Sequence, residues 1–168
     1  MKVILYMAVT GNGYIAKEND DTSWISKEEW NSYSAVVRKA GNSVIGHRTY
    51  DIITKQPEFS EFEKVKIVIV SHNDFKTLSS NHVTVKTPEE ALSLLKDFKE
   101  VIVAGGSNLN SSFMEKNLID EVYLDIEPII FGKGIKLFAD NNFEVKLKLL
   151  GIRNLTEDII QLHYKVLK

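Results

Sequence analysis

The sequence contains no cysteine, only three prolines, and no apolar run long enough to span a bilayer. Without cysteine the chain has no disulfide, thiolate nucleophile or cysteine metal ligand, which fits a reducing compartment, so we expect a cytoplasmic protein. The formal net charge is −2, so no overall field attracts nucleic acid or an anionic membrane. The four histidines are scattered without ligand spacing, and we expect no metal site.

The length of 168 residues suits one domain, and we expect a single domain over residues 1–168. No repeat, low-complexity tract or linker interrupts the chain. The most loop-like stretch, residues 55–64, is too short to separate two domains. With 43% hydrophobic and 26% charged residues, the composition is that of a globular protein with one buried core.

Apolar runs at residues 3–9 and 65–70 are typical of strands buried on both faces of a sheet. Helix start and stop signals predict four helices, because Ser26 and Thr87 begin capping boxes and Gly41 is a helix-ending residue. We expect these helices to start near Lys27, at Arg48 or Thr49, after Thr87, and at Ser107. The remaining expected strands are residues 43–45, 82–86, 101–104 and 122–126. Alternating apolar residues on both sides of the 153–158 turn predict a C-terminal hairpin.

The order of these elements predicts an α/β fold with three layers. A mainly parallel twisted sheet carries helices on both faces, and the C-terminal hairpin adds antiparallel strands at one side. In such sheets ligands bind beyond the carboxyl ends of the strands. The residues that directly follow each strand are therefore the candidates for function.

Two of these strand ends combine glycine with the start of a helix. They are the segments Gly46–Thr49 and Gly105–Asn108. Glycine lets a ligand approach the backbone, and free amides at a helix start bind phosphate. Two anion sites on one sheet edge suit the pyrophosphate of a dinucleotide, although the pattern GxGxxG of ordinary dinucleotide folds is absent.

Several segments resemble the dihydrofolate reductase superfamily. The stretches VIGHRTYDI, IVIVSHN and VIVAGGSNLNSSFM resemble its cofactor-binding strand ends. The stretch LIDEVYLDIEPIIFGKGIKLF is closer to the reductase domain of the bacterial riboflavin-biosynthesis deaminase-reductase and its stand-alone relatives, as are VTGNGYIA and TSWIS. The resemblance covers essentially the whole chain, and it implies a dihydrofolate reductase-like fold with NADPH as the cofactor.

The resemblance also implies a set of cofactor contacts. Thr49 would bind the pyrophosphate, Arg48 with His47 would approach the adenosine phosphates, and Ser71 with His72 would lie near the adenine ribose. Basic and hydroxyl groups at the ribose 2′ position favour NADPH over NADH. The full expected cofactor set is Ala8, Ile15, Gly46, His47, Arg48, Thr49, Ser71, His72, Gly105, Gly106, Ser107 and Asn108.

On the substrate side we expect catalytic roles for Asn12, Trp24 and Glu29. Asn12 stands where the riboflavin-pathway reductases carry an aspartate. A gap-free count places Trp30 where dihydrofolate reductases carry their first-helix carboxylate, and Glu29 is adjacent, although a capping box with Ser26 also explains Glu29. Trp24 lies in a polar segment, where it either lines the ligand pocket or pins the loop to the core.

The resemblance implies hydride transfer from NADPH to a C=N or C=O bond of a small heterocyclic or sugar-linked substrate. Water, water ordered by Asn12, or Glu29 would supply the proton. Two alternatives remain, a non-catalytic nucleotide-binding module and a flavin-binding electron carrier. A homodimer is a further expectation, because the riboflavin branch is often dimeric.

Overall fold

The predicted order of strands and helices is confirmed in the computed structural model, which describes residues 1–168. The four helices are α1 (Lys27–Ala40), α2 (His47–Ile53), α3 (Pro88–Leu94) and α4 (Ser107–Glu115), with a 3-10 segment at Pro57–Phe62. The ten strands are β1 (Lys2–Thr10), β2 (Tyr14–Ala16), β3 (Asn42–Gly46), β4 (Lys66–Val70), β5 (His82–Val85), β6 (Glu100–Val103), β7 (Glu121–Glu127), β8 (Ile135–Lys136), β9 (Lys146–Asn154) and β10 (Ile160–Leu167).

Eight strands form one sheet in the order β5-β4-β3-β6-β1-β7-β10-β9. The strands from β5 to β7 in this order pair in parallel, and β10 and β9 pair antiparallel. The expected mainly parallel sheet with a C-terminal antiparallel hairpin is therefore confirmed. Because the carboxyl ends of the parallel strands share one edge, the loops that follow them converge there.

Helices cover both faces of this sheet. One face packs against α1, α2 and the 3-10 segment, and its core includes Tyr6, Val37 and Phe62. The other face packs against α3 and α4, and its core includes Leu5, Leu95 and Phe113. These side chains are almost completely excluded from water, so burial of apolar surface on both faces stabilises the three-layer arrangement.

The ends of α1 follow the predicted local signals. Ser26 caps its start by accepting a hydrogen bond from the Glu29 backbone N–H at 3.1 Å. Gly41 ends the helix with φ of 73°, a left-handed conformation that glycine adopts without a steric cost. The helix α2 begins at His47, one residue before Arg48 and two before Thr49, the two expected starts.

Two features were not predicted from the sequence. The short strands β2 and β8 form a separate two-stranded sheet, and part of the expected loop at 55–64 forms the 3-10 segment. Strands of two or three residues are too short to show a period. Gly134 precedes β8, and a Cβ atom there would lie 2.6 Å from the Ala16 carbonyl oxygen, so only glycine fits the close approach of β2.

Strand β9 forms one edge of the large sheet, and almost all of its residues are exposed. The predicted hairpin is confirmed by the antiparallel pairing of β9 with β10. The alternation of apolar residues nevertheless does not place them in a core, since Ile152 is 62% exposed and three leucines of the strand are also exposed. No helix of the protein combines the length and the apolar character that a membrane crossing requires.

Candidate active site

The carboxyl ends of the parallel strands carry two groups of ionisable residues. The ends of β3, β4 and β5 carry His47, Arg48, His72 and Lys86. The neighbouring side of the same edge holds three carboxyl groups, those of Glu29, Asp125 and Glu127. This edge is therefore divided into a basic half and an acidic half, with the end of β6 and its two glycines between them.

The two predicted glycine junctions touch each other between these halves. The Gly46 N–H donates to the Gly105 carbonyl oxygen at 2.8 Å. A Cβ at Gly46 would lie 3.6 Å from the Gly106 nitrogen, and one at Gly106 would lie 3.4 Å from the Thr49 Oγ1 atom. Backbone and one hydroxyl therefore form a shallow cradle that side chains would fill, and Gly105 adopts φ of 88°.

Both basic residues expected at the adenosine phosphates face carboxylates. Arg48 Nε lies 2.8 Å from an Asp20 carboxylate oxygen, and the Arg48 side chain is 76% exposed. His47 Nε2 lies 3.6 Å from the Asp51 carboxylate one helical turn later. The His47 ring also stacks on the Phe75 ring at 3.8 Å between centroids. A phosphate that binds here would meet an Arg48 charge that Asp20 already partly neutralises.

The segment expected near the adenine ribose lies beside a lysine that sequence reasoning missed. Lys86 Nζ donates to the His72 carbonyl oxygen at 3.0 Å and pairs with Asp74 at 2.6 Å. The Ser71 hydroxyl donates to the Asn73 carbonyl oxygen at 2.8 Å and thereby shapes the turn. Lys86 directly follows β5, so the rule that strand ends carry function was a sufficient signal for it.

Glu29 is the buried carboxyl group of the first helix. The residue is 4% exposed, and its side chain makes no hydrogen bond within the protein. Burial, followed by the nearby charges of Asp125 and Glu127, raises the pKa of Glu29 from 4.5 to about 8. At neutral pH this carboxyl group therefore keeps its proton.

The capping-box explanation of Glu29 is wrong in one respect. The Ser26 backbone N–H, which a capping-box acid would bind, donates instead to Glu127 Oε1 at 2.9 Å. The Ser26 hydroxyl donates to the same oxygen at 2.6 Å. Because Glu127 from β7 accepts the Ser26 N–H, the Glu29 side chain does not take part in capping the helix.

Asp125 lies in a buried hydrogen-bond network next to Glu29. Its carboxylate accepts hydrogen bonds from the Tyr6 hydroxyl at 2.7 Å and from the Gln161 amide at 2.8 Å. Tyr6 is also within 2.6 Å of the Ser32 hydroxyl. Burial raises the pKa of Asp125, whereas the bonds from Tyr6 and Gln161 act in the opposite direction. These bonds hold the carboxylate at a fixed place beside Glu29.

The two other expected substrate residues lie in loops. Asn12 accepts from the Thr10 hydroxyl at 2.9 Å and donates to the Phe131 carbonyl oxygen at 2.7 Å, so its amide joins two loops. Trp24 packs edge-on against Phe131 at 5.4 Å between centroids, and its indole N–H is buried without a partner. Trp30 packs against Tyr33 and therefore belongs to the core side of α1.

The remaining expected cofactor residues are distributed around the cradle. Ala8 is buried on β1 and pairs in register with Asp125, so it lies between the two halves of the edge. Ile15 is buried on β2. Ser107 is the first residue of α4, and Asn108 is exposed on its first turn. Eleven of the twelve expected residues thus lie at or next to this sheet edge, and Ile15 lies on β2 of the two-stranded sheet.

A cleft of about 330 Å³ opens at the acidic half. Gly11, Pro128 and Asp158 contribute to its walls together with Glu127 and four isoleucines. Sequence reasoning missed the acidic residues of β7, because Asp125 and Glu127 alternate with apolar residues and look like the solvent face of a strand. Glu127 is buried where it caps the start of α1, and Asp125 is buried with Tyr6 and Gln161.

Comparison with known proteins places the chain in a family. The sequence profile of the RibD C-terminal domain matches residues 1–161. Protein YwjB of Bacillus subtilis (strain 168) is 31% identical over 172 residues, covering 97% of both chains.

Among solved structures, a pyrimidine reductase-like protein of Corynebacterium diphtheriae matches with a TM-score of 0.74 at 14% identity, covering 99% of this chain and 92% of that one. The diaminohydroxyphosphoribosylaminopyrimidine deaminase/5-amino-6-(5-phosphoribosylamino)uracil reductase of Thermotoga maritima matches with a TM-score of 0.72 at 18% identity. That match covers 98% of this chain and 56% of that protein. The fold, the profile and the relative agree, and the chain belongs to the RibD C-terminal domain family, within the dihydrofolate reductase-like superfamily.

Proposed function

We propose that this protein is a reductase that uses NADPH to reduce a C=N or C=O bond of a small heterocyclic or sugar-linked substrate. One observation carries the proposal. A glycine cradle suited to a pyrophosphate lies on the same sheet edge as a buried carboxyl group that keeps its proton. Hydride transfer requires a bound cofactor and a source of the proton, and these two features can supply them.

The residues of the basic half fit a dinucleotide phosphate. The glycines at 46, 105 and 106 leave the backbone open, and the Thr49 hydroxyl points to the space above Gly106. Arg48 and Lys86 supply positive charge on the side where the adenine ribose would lie. A cationic group near the 2′ position favours NADPH over NADH.

In this proposal the reduced nicotinamide supplies the hydride. The protein residues bind the cofactor, orient the substrate and protonate it. Ala8 is small and buried at the boundary of the two halves, so a flat ring can approach β1 closely there. Glu29 holds a proton at its carboxyl group and releases it to the atom that becomes negative. Burial is the main reason that Glu29 stays protonated, and Asp125, fixed by Tyr6 and Gln161, further disfavours a negative charge on Glu29.

The substrate class follows from the acidic half together with the named relatives. One relative reduces a phosphoribosylamino-uracil by its printed name, and another is described as pyrimidine reductase-like. Buried carboxyl groups suit a heterocycle that presents N–H donors. We therefore include aminopyrimidines, with and without a sugar phosphate, and reduced pteridines in the first substrate screen.

The first test is a titration with NADPH and NADH, measured by quenching of tryptophan fluorescence. We expect tighter binding of NADPH, and Arg48→Ala should weaken it about tenfold, because a lost hydrogen bond to a charged group costs about 1.5–3 kcal/mol. Arg38→Ala is the matched control. It removes the same charge from the last turn of α1, where Arg38 pairs with Glu61.

The outcomes separate the alternatives. Binding of NADPH that Arg48→Ala weakens and Arg38→Ala leaves unchanged supports the proposal. If neither dinucleotide binds, hydride transfer from NADPH is wrong for this protein. A yellow purified protein would then favour a flavin-binding carrier, and tight binding of another nucleotide without turnover would favour a non-catalytic module.

We also propose that the protein forms a homodimer through the edge strand β9. This strand has no neighbour on its outer side and exposes four large apolar residues, namely Leu147, Leu149, Leu150 and Ile152. Antiparallel pairing with a second copy about Leu150 would place Lys146 opposite Asn154 and Lys148 opposite Ile152. Each lysine then faces an uncharged residue, and the unpaired backbone groups of the edge gain partners.

Light scattering during size-exclusion chromatography tests the dimer. Ile152→Lys should shift the mass from dimer to monomer, because it places two further charges in the apolar strip of the pair. Leu78→Lys is the control, since Leu78 is equally exposed but lies in a loop outside β9. A monomeric wild-type protein, or a dimer that Ile152→Lys does not change, would contradict this interface.

A further inference from the structure

The ion pair between Asp20 and Arg48 is not explained by the fold. Arg48 is exposed on the first turn of α2, and Asp20 belongs to the loop of residues 17–26. Because the Arg48 side chain is mostly exposed, water screens this pair and it contributes little to stability. Its position is nevertheless specific, since Arg48 is the cation that the proposed phosphate site depends on.

The local structure holds Asp20 in place. The Asp20 N–H donates to the Lys17 carbonyl oxygen, and the Lys17 N–H donates to the Asp21 carbonyl oxygen, both at 3.0 Å. Asp20 adopts φ of 65°, a left-handed conformation that aspartate and asparagine tolerate better than most residues. A tight turn therefore presents the Asp20 carboxylate, and the carboxylate does not reach Arg48 from a freely moving chain.

The adjacent aspartate behaves differently. Asp21 pairs with Lys17 at 2.7 Å and accepts the Ser23 N–H at 2.9 Å, so its charge is neutralised within the loop. Asp20 pairs with no cation other than Arg48. The two neighbouring carboxylates thus differ in one respect that matters here, which is whether they share the cation of the phosphate site.

We propose that Asp20 sets the affinity of this site for nucleotide phosphate by competing for Arg48. The proposal rests on the proposed function, because it concerns the same cofactor site. A phosphate oxygen and the Asp20 carboxylate can both accept hydrogen bonds from the Arg48 guanidinium. When one of them is bound, the attraction of Arg48 for the other is weaker. By linkage, phosphate binding also loosens the hold of Arg48 on the 17–26 loop, which carries Trp24.

The test is a set of titrations with NADPH and NADH on Asp20→Asn, Asp21→Asn, Arg48→Ala and the Asp20→Asn/Arg48→Ala double variant. Asp20→Asn keeps the shape and the left-handed tolerance of the residue but removes its charge. We expect it to tighten NADPH binding about threefold at low salt, with the gain shrinking as salt rises. Asp21→Asn should change the affinity much less.

The double variant distinguishes competition from simple repulsion. If Asp20 acts through Arg48, the gain from Asp20→Asn in the Arg48→Ala background falls to the small value seen for Asp21→Asn. An equal gain in both backgrounds, or no gain in the wild-type background, overturns the proposal. The NADH titration identifies the phosphate, since a gain confined to NADPH indicates the 2′-phosphate and a gain for both dinucleotides indicates the pyrophosphate.

The proposal and the function on which it rests fail in different ways. If wild-type protein binds NADPH and Asp20→Asn leaves the affinity unchanged, only the competition is wrong. If wild-type protein and Asp20→Asn bind neither dinucleotide, the proposed NADPH site is wrong, and the proposal that Asp20 competes for Arg48 is wrong as well.

Discussion

Replacing Glu29 by glutamine is expected to stabilise the protein near pH 8 while removing the proposed proton donor. The folded state keeps a proton on Glu29 up to a pKa of about 8, whereas the unfolded chain releases it near 4.5. Between these two values the folded state binds more protons than the unfolded state, so its stability falls as the pH rises. Glutamine does not titrate and avoids this loss.

The expected size of the effect follows from the difference in pKa. Glu29→Gln should raise the free energy of unfolding by about 2–4 kcal/mol near pH 8 relative to wild type, with little of this pH-dependent gain near pH 4. Urea unfolding at several pH values measures it. Glu28→Gln is the control, because Glu28 lies in the same helical turn with its side chain exposed. Equal pH dependence in wild type and Glu29→Gln would show that Glu29 titrates normally.

The same substitution tests the proposed chemistry once a substrate is found. Glu29→Gln should lower kcat about a hundredfold or more, as expected for removal of a general acid. Wild-type turnover should fall as the pH rises above about 8, where Glu29 loses its proton. A gain in stability with a loss of activity is typical of a buried group retained for function. A fully active Glu29→Gln protein would assign protonation to water.

Replacing Gly105 by alanine is expected to damage both the fold and the cofactor site. Gly105 has φ of 88°, and a Cβ there would lie 3.1 Å from Met7 Cε and 3.3 Å from its sulfur. We expect a loss of about 2–3 kcal/mol in the free energy of unfolding, from the left-handed backbone and the crowding together. NADPH binding should weaken at least about tenfold, because the Gly105 carbonyl oxygen also holds the Gly46 N–H.

Gly13→Ala is a matched control for this variant. Gly13 has φ of 87°, and a Cβ there would meet nothing within 4 Å. Gly13→Ala should lower the free energy of unfolding only by the cost of the left-handed backbone, about 1–2 kcal/mol. It should bind NADPH like the wild-type protein. Thermal unfolding and the fluorescence titration compare the two variants. If both lose NADPH binding equally, the effect of Gly105 is a general loss of stability and not damage to the cradle.

Much of the fold could be predicted because its signals are local. The cap at Ser26 and the left-handed Gly41 delimit α1 within a few residues, and the apolar runs mark β1 and β4. Strands β2 and β8 were missed because they are too short for a period and are defined by the close contact at Gly134. The exposed leucines of β9 follow the same alternation as core residues, so the pattern alone cannot separate an edge strand from a buried one.

The candidate site divides in the same way. The glycine junctions at 46 and 105–106 were predictable, since glycine before a helix at a strand end is visible in the chain. The carboxylate of α1 was harder to identify. Trp30 and Glu29 are adjacent in the sequence, and only the folded structure shows that Glu29 is the one whose carboxyl group is buried near Asp125 and Glu127.

The sequence by itself determined the α/β class, the order of the elements and the backbone openings of the proposed cofactor cradle, because these depend on side-chain period and on residues with special backbone freedom. Only the tertiary structure decided which carboxyl group keeps its proton and which cation is already paired. Glu29 keeps its proton because its carboxyl group is buried and, to a lesser extent, because Asp125 and Glu127 of a distant strand lie near it. Arg48 is paired because a turn presents Asp20 to it. Electrostatic energies depend on distance and burial in space, and neither quantity is contained in the spacing of residues along the chain.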